Sequence, residues 1–115
     1  MNDDQQDWNF PFEEPLDEVF PQLHAAQNAW LSQLDSLKAP DRKTHELIRM
    51  VVTVGLRNPA GVQRHAQLAH EVGATWEEIL GSIMLTVPGH GLLPAVAAIP
   101  HARAGYEAAR EADAD

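Results

Sequence analysis

A chain of 115 residues with no cysteine can neither form a disulfide nor use a thiol as a nucleophile. Its 17 acidic residues against 8 basic ones leave a net charge of −9, which excludes the basic footprint of a nucleic-acid binder and disfavours an anionic membrane surface. With 44% hydrophobic residues but no apolar run near the ~20 residues of a membrane span, one domain with a modest core is expected.

Residues 1–15 carry Asp3, Asp4, Asp7, Glu13 and Glu14 and no Lys or Arg. There is no apolar h-region of a signal peptide, so a cytoplasmic protein is expected. Trp8, Phe10 and Phe12 are interleaved with the acids, and Pro11 and Pro15 oppose a helix. The segment reads either as a solvated tail or as an acidic aromatic arm that docks on a neighbouring subunit. From Leu16 to Leu37 a first helix is predicted, regular from Pro21 onward. Its stripe of Leu23, Ala26, Trp30, Leu34 and Leu37 has helical spacing and suits core packing.

Pro40-Asp41 resets the chain, and Asp41 suits the N-cap of a helix running to about Leu56. Leu47, Ile48, Val51, Val52 and Gly55 form its apolar row, while Arg42, Lys43 and His45 fall on the exposed side by pattern. Asn58-Pro59 then reads as an N-cap followed by proline in the first helical position, and Gly73 suits the left-handed residue that ends this helix. Val62, His65, Ala69 and Val72 share one stripe of it, so a histidine sits in an otherwise apolar face. Thr75 and Glu78 have the spacing of a capping box for a helix whose apolar row is Ile79, Leu80, Ile83 and Val87. Pro88-Gly89-His90-Gly91 ends it. An alanine-rich last helix from about Pro94 to Glu111 should kink at Pro100. No alternating run with hairpin turn residues is present, so an all-α bundle of five helices is predicted over residues 16–112.

The run Lys43-Thr44-His45-Glu46-Leu47-Ile48, then His65, Gly73-Ala74-Thr75 and Glu77-Glu78-Ile79, resembles the carboxymuconolactone decarboxylase family, also called the alkyl hydroperoxidase D-like family. The likeness spans roughly residues 40 to 97. Counting back from His65, the two cysteine positions of that family fall on Gly61 and Asn58. The resemblance implies the alkyl hydroperoxidase D-like helical fold and assembly as a homotrimer or homohexamer with its pocket near a subunit boundary. Without thiols the peroxide-reducing chemistry of the cysteine-bearing relatives is closed to this chain. The decarboxylase branch is the better parallel, with a histidine as proton donor.

His65 and Glu46 are therefore the candidate catalytic residues, an imidazole and a carboxylate able to exchange protons near neutral pH. The bland alternative is a buried hydrogen-bonded pair that merely satisfies itself. A contact opening on an accessible cavity would favour chemistry, and a sealed one the structural role. His90, flanked by glycines that permit close approach of a ligand, and Arg57 and Arg64, able to clamp an anion, are the candidate substrate-binding residues. His101, after Pro100, could turn inward, while His24, His45 and His70 are expected on the surface. No His-x-x-x-His pair exists, so no metal and no other cofactor is expected. The function implied is a cofactor-independent lyase or isomerase acting on a small cyclic or unsaturated acid or lactone. The alternative is a non-catalytic homo-oligomer that binds a small ligand or a partner.

Overall fold

The computed structural model describes residues 13–114, and the expected aromatic arm with Trp8, Phe10 and Phe12 lies outside them. The described chain is helical, with no strand among its residues. The elements in order are α1 (Glu14–Val19), α2 (Pro21–Asp35), α3 (Arg42–Gly55), α4 (Pro59–Glu71), α5 (Trp76–Met84), α6 (Val87–His90) and α7 (Leu92–Ala114). The predicted first helix, Leu16 to Leu37, is split at Phe20 into α1 and α2; α3, α4, α5 and α7 answer to the other four predicted helices, and α6 is an addition. No helix among the described residues is long and apolar enough to cross a membrane.

Prolines set several boundaries. Pro15 does not oppose a helix; it sits in the first turn of α1, where its missing N–H is not needed. Phe20 divides α1 from α2 because the residue before a proline is pushed out of the helical region, and it sits at φ −131°. Pro94 falls inside the first turn of α7, so that helix begins two residues earlier than expected. Pro100 removes one hydrogen bond from α7, yet the helix runs through it to Ala114.

The caps follow local chemistry. Asn58 Oδ1 accepts the Gly61 N–H at 3.1 Å at the start of α4. Thr75 and Glu78 form the reciprocal capping box of α5, with both bonds at 3.0 Å. That helix stops at Met84, short of Val87, and Val87 instead opens α6. The end of α3 is closed by two bonds, Arg57 N–H to the Val54 carbonyl and Asn58 N–H to the Thr53 carbonyl. This is the pattern that places the residue after the helix in the left-handed region, and Arg57 has φ +55°.

The chain divides into two compact units between Arg42 and Lys43. In the first, α1 packs on α2. His24 is buried there, against the surface position expected of it, with Nδ1 3.3 Å from Asp17 Oδ1. Asp35 is also buried and accepts from Arg42 Nη1 at 2.8 Å. The apolar stripe of α2 is not core: Leu23, Trp30 and Leu37 are all more than half exposed. Helical periodicity identifies which face is apolar, not what covers it.

In the second unit α7 lies along α4, with α5 and α6 against α7. Met50, Val54, Val62, Ile79 and Ile83 fill the centre, and the α4–α7 seam is built from Ala66, Ala69, Ala98 and Ala102. Such short side chains let two backbones approach closely. A Cβ built on Gly105 of α7 would overlap the Gln63 carbonyl oxygen of α4 and lie 3.0 Å from the Gln67 nitrogen. At one end of the seam His70 Nδ1 is 2.7 Å from the Ala74 carbonyl oxygen, and its ring packs on Tyr106. It is thus half-buried and not a plain surface residue. Arg103 covers Trp76 and Tyr106 with its guanidinium, 4.8 and 5.2 Å from the ring centres. Lys43 Nζ reaches Glu78 Oε2 at 2.7 Å, tying the start of α3 to α5.

Candidate functional site

The hairpin of α3 and α4 carries the residues singled out from the sequence. Glu46 lies on the buried face of α3 and His65 on α4, and they meet: His65 Nδ1 is 3.0 Å from Glu46 Oε1. The other carboxylate oxygen, Oε2, accepts from Arg49 Nη1 at 3.0 Å, one turn along the same helix. An ionised carboxylate can only accept, so the hydrogen of the imidazole is assigned to Nδ1. Glu46 is completely buried, and 15% of the His65 side chain remains exposed. The Nε2 atom of His65 makes no hydrogen bond among the described residues. The acid is thus sealed and held from both sides, while the ring keeps an open nitrogen.

Arg49, which flanks the candidate site in sequence as Arg57 and Arg64 do and could equally clamp an anion, instead pairs with Glu46, as its i,i+3 spacing on one helix face allows. His45, expected to be exposed, is buried with 7% of its surface exposed, and neither ring nitrogen has a hydrogen-bond partner among the described residues. Its neighbours Arg42 and Lys43 suggest a polar face, but position 45 turns inward beside Glu46.

The two positions that fall on cysteines in the resembling family have a structural use here. Asn58 and Gly61 are joined by the N-cap hydrogen bond of α4. Gly61 also lets that helix start close against α3, since a Cβ there would stand 2.6 Å from the Thr53 methyl. His90 is exposed at the end of α6, and its ring lies on Gly55, where an added Cβ would be 2.8 Å from Nε2. Arg64 is half-buried on α4.

A cleft of about 420 Å³ opens at the other end of the hairpin. Val54, Val62, Pro94, Val96 and Ala98 wall it, and Arg57 and His101 are the ionisable groups that line it. No aspartate or glutamate among the described residues lines it. Glu46 and His65 are not among its residues either. Glu46 lies seven residues before Thr53 on α3, about 10 Å along the helix. Val62 is the nearest link, one turn before His65 on α4. Of the predicted binding residues, only Arg57 lines this cleft; His90 and Arg64 do not. Among the described residues no group of three histidines and acids is placed to hold a metal ion. The chain matches no family model, and neither curated proteins nor solved structures yield a match.

Proposed function

We propose that the protein is a cofactor-independent acid–base catalyst of the lyase or isomerase type, acting on a small cyclic or unsaturated acid or lactone through His65. The observation that carries this is the division of labour on the imidazole. Glu46 takes Nδ1 and fixes the ring, and Nε2 is left without a hydrogen bond among the described residues on a side chain that keeps 15% exposure. This is the arrangement a proton-transfer group requires, because the buried anion sets the tautomer and steadies the imidazolium. The sequence likeness to the decarboxylase branch of the carboxymuconolactone decarboxylase family points the same way.

In a decarboxylation the bond to the carboxyl carbon breaks, carbon dioxide leaves, and the electron pair moves into a conjugated carbonyl. His65 Nε2–H then delivers its proton to carbon or to the enolate oxygen, and solvent reprotonates the ring. Glu46 acts as a positioning residue that never contacts substrate.

A homo-oligomer is part of the same proposal. Ile48 and Val52 on α3 and Leu56 just past its end follow each other at four-residue spacing and are 47%, 54% and 72% exposed. An apolar stripe of that kind suits burial against another copy of this chain. A non-catalytic ligand-binding oligomer is the competing reading, favoured by the distance along the hairpin between the cleft and His65.

The test is deuterium incorporation into unsaturated lactone acids, and their decarboxylation, followed by NMR for wild type, His65→Ala and Glu46→Gln. Loss of turnover in His65→Ala that added imidazole restores supports the acid–base role. Equal rates in all three proteins refute it.

A further inference from the structure

We infer that the cleft between the end of α3, the start of α4 and α7 is a binding site for a small monocarboxylate with an apolar body, whose carboxylate is held by Arg57. Three observations converge on this. The first is the chemistry of the lining. The chain has 17 acidic residues, yet among the described residues none faces the cleft, and its walls are aliphatic. Thr53 and Asn58, the polar neutral residues there, are committed to the backbone: Thr53 Oγ1 donates to the Met50 carbonyl at 2.6 Å, and Asn58 Oδ1 caps α4. That leaves the guanidinium of Arg57, with the His101 imidazole, to recognise polarity. One fork of donors above an apolar pocket fits a single carboxylate. A phosphate group would leave most of its oxygens facing aliphatic walls.

The second observation is that Arg57 has no ion pair among the described residues. Of the five other arginines and lysines of the second unit, Lys43, Arg49, Arg103 and Arg110 are all engaged with carboxylates. The third is the backbone. Arg57 stands at φ +55°, in the position after α3 that glycine fills without strain. A residue with a Cβ in a left-handed position is a less favourable choice for the turn than glycine, and points to a use for the side chain. A glycine would close α3 better, but would leave the cleft with no guanidinium.

Binding at this cleft does not depend on proton transfer at His65. Only the identification of the bound acid with the substrate rests on the acid–base reading.

The experiment uses the full chain and four probes: benzoate, hexanoate, and their neutral amides. Binding is followed by NMR titration and calorimetry for wild type, Arg57→Gly, Ala97→Trp and His65→Gln. Saturable one-to-one binding of the acids is expected, with shifts centred on Val62, Val96 and Ala98. The amides bind roughly tenfold or more weakly, and Arg57→Gly weakens the acids by a similar factor. Because glycine suits the turn, Arg57→Gly keeps a thermal midpoint no lower than wild type. Ala97→Trp fills the cleft and abolishes binding, while His65→Gln binds as wild type does. Absent binding by wild type, equal affinity for acid and amide, or undiminished binding by Arg57→Gly overturns the inference. So does a lowered midpoint in Arg57→Gly, because the arginine would then be serving the turn. If the acids bind but the lactone assay shows no turnover, the site stands and the catalytic proposal falls.

Discussion

Gly105→Ala changes one hydrogen to a methyl on α7, and two opposing effects decide its sign. In an open helix the change stabilises by about 1 kcal/mol, because alanine loses less backbone freedom on folding. At Gly105 the new carbon overlaps the Gln63 carbonyl oxygen and stands 3.0 Å from the Gln67 nitrogen, both backbone atoms of α4. Neither can rotate away. Restoring an ordinary carbon–oxygen separation requires α7 to withdraw by about 1 Å. A gap of that size forfeits a quarter to a half of each dispersion contact it opens. It runs along a seam where Ala66, Ala69, Ala102 and Ala109 have no exposed surface at all. Overpacking of this kind costs about 3 kcal/mol, the upper end of its usual range, so the net loss is about 2 kcal/mol. Urea unfolding followed by circular dichroism measures it, and with a slope near 2 kcal/mol per molar the midpoint should fall by about 1 M. Gly81 on α5 is the control, because a Cβ there meets nothing within 4 Å. Gly81→Ala should raise stability by up to about 1 kcal/mol. If Gly105→Ala behaves like Gly81→Ala, the close approach of α4 and α7 is refuted.

Two further outcomes follow from the ion pairs. Glu46→Ala removes the buried acceptor shared by Arg49 and His65 and should destabilise by about 3 kcal/mol in the same urea assay; a loss under ~1 kcal/mol would mean that water readily replaces the carboxylate. The Lys43 ammonium, with the Thr75 N–H, holds the Glu78 carboxyl below its ordinary value of 4.5. A depressed folded value means that the bond contributes stability above 4.5 and loses it as pH falls through the lowered value. The gap in thermal midpoint between wild type and Lys43→Gln should accordingly narrow below about pH 4.5, and a pH-independent gap would contradict that account.

Local signals were legible in the chain, and long-range ones were not. Asn58-Pro59 and Thr75 with Glu78 act within four residues, so their caps could be read without knowing the fold. Glu46 and His65, nineteen residues apart, could be paired because both lie on inward faces of neighbouring helices. The stripe of Leu23, Trp30 and Leu37 misled because periodicity is silent about what lies opposite a face. His45 misled because its basic neighbours argue for water, while its own position turns toward the interior. The cleft could not be foreseen: it forms where the turn after α3 meets the start of α7, some forty residues later. Nor does any residue announce the left-handed turn at Arg57, where glycine would have been the usual signpost.

The alanine-lined seam between α4 and α7 inverts the usual logic of mutational scanning. Truncating side chains to alanine cannot probe Ala66, Ala69, Ala98 or Ala102, because nothing is left there to remove. A conventional scan would pass over the join that holds the second unit together and score it as inert. Only enlargement reveals it, so selection in this part of the molecule should act against gain of volume, with each added methyl felt as a wedge between two rods.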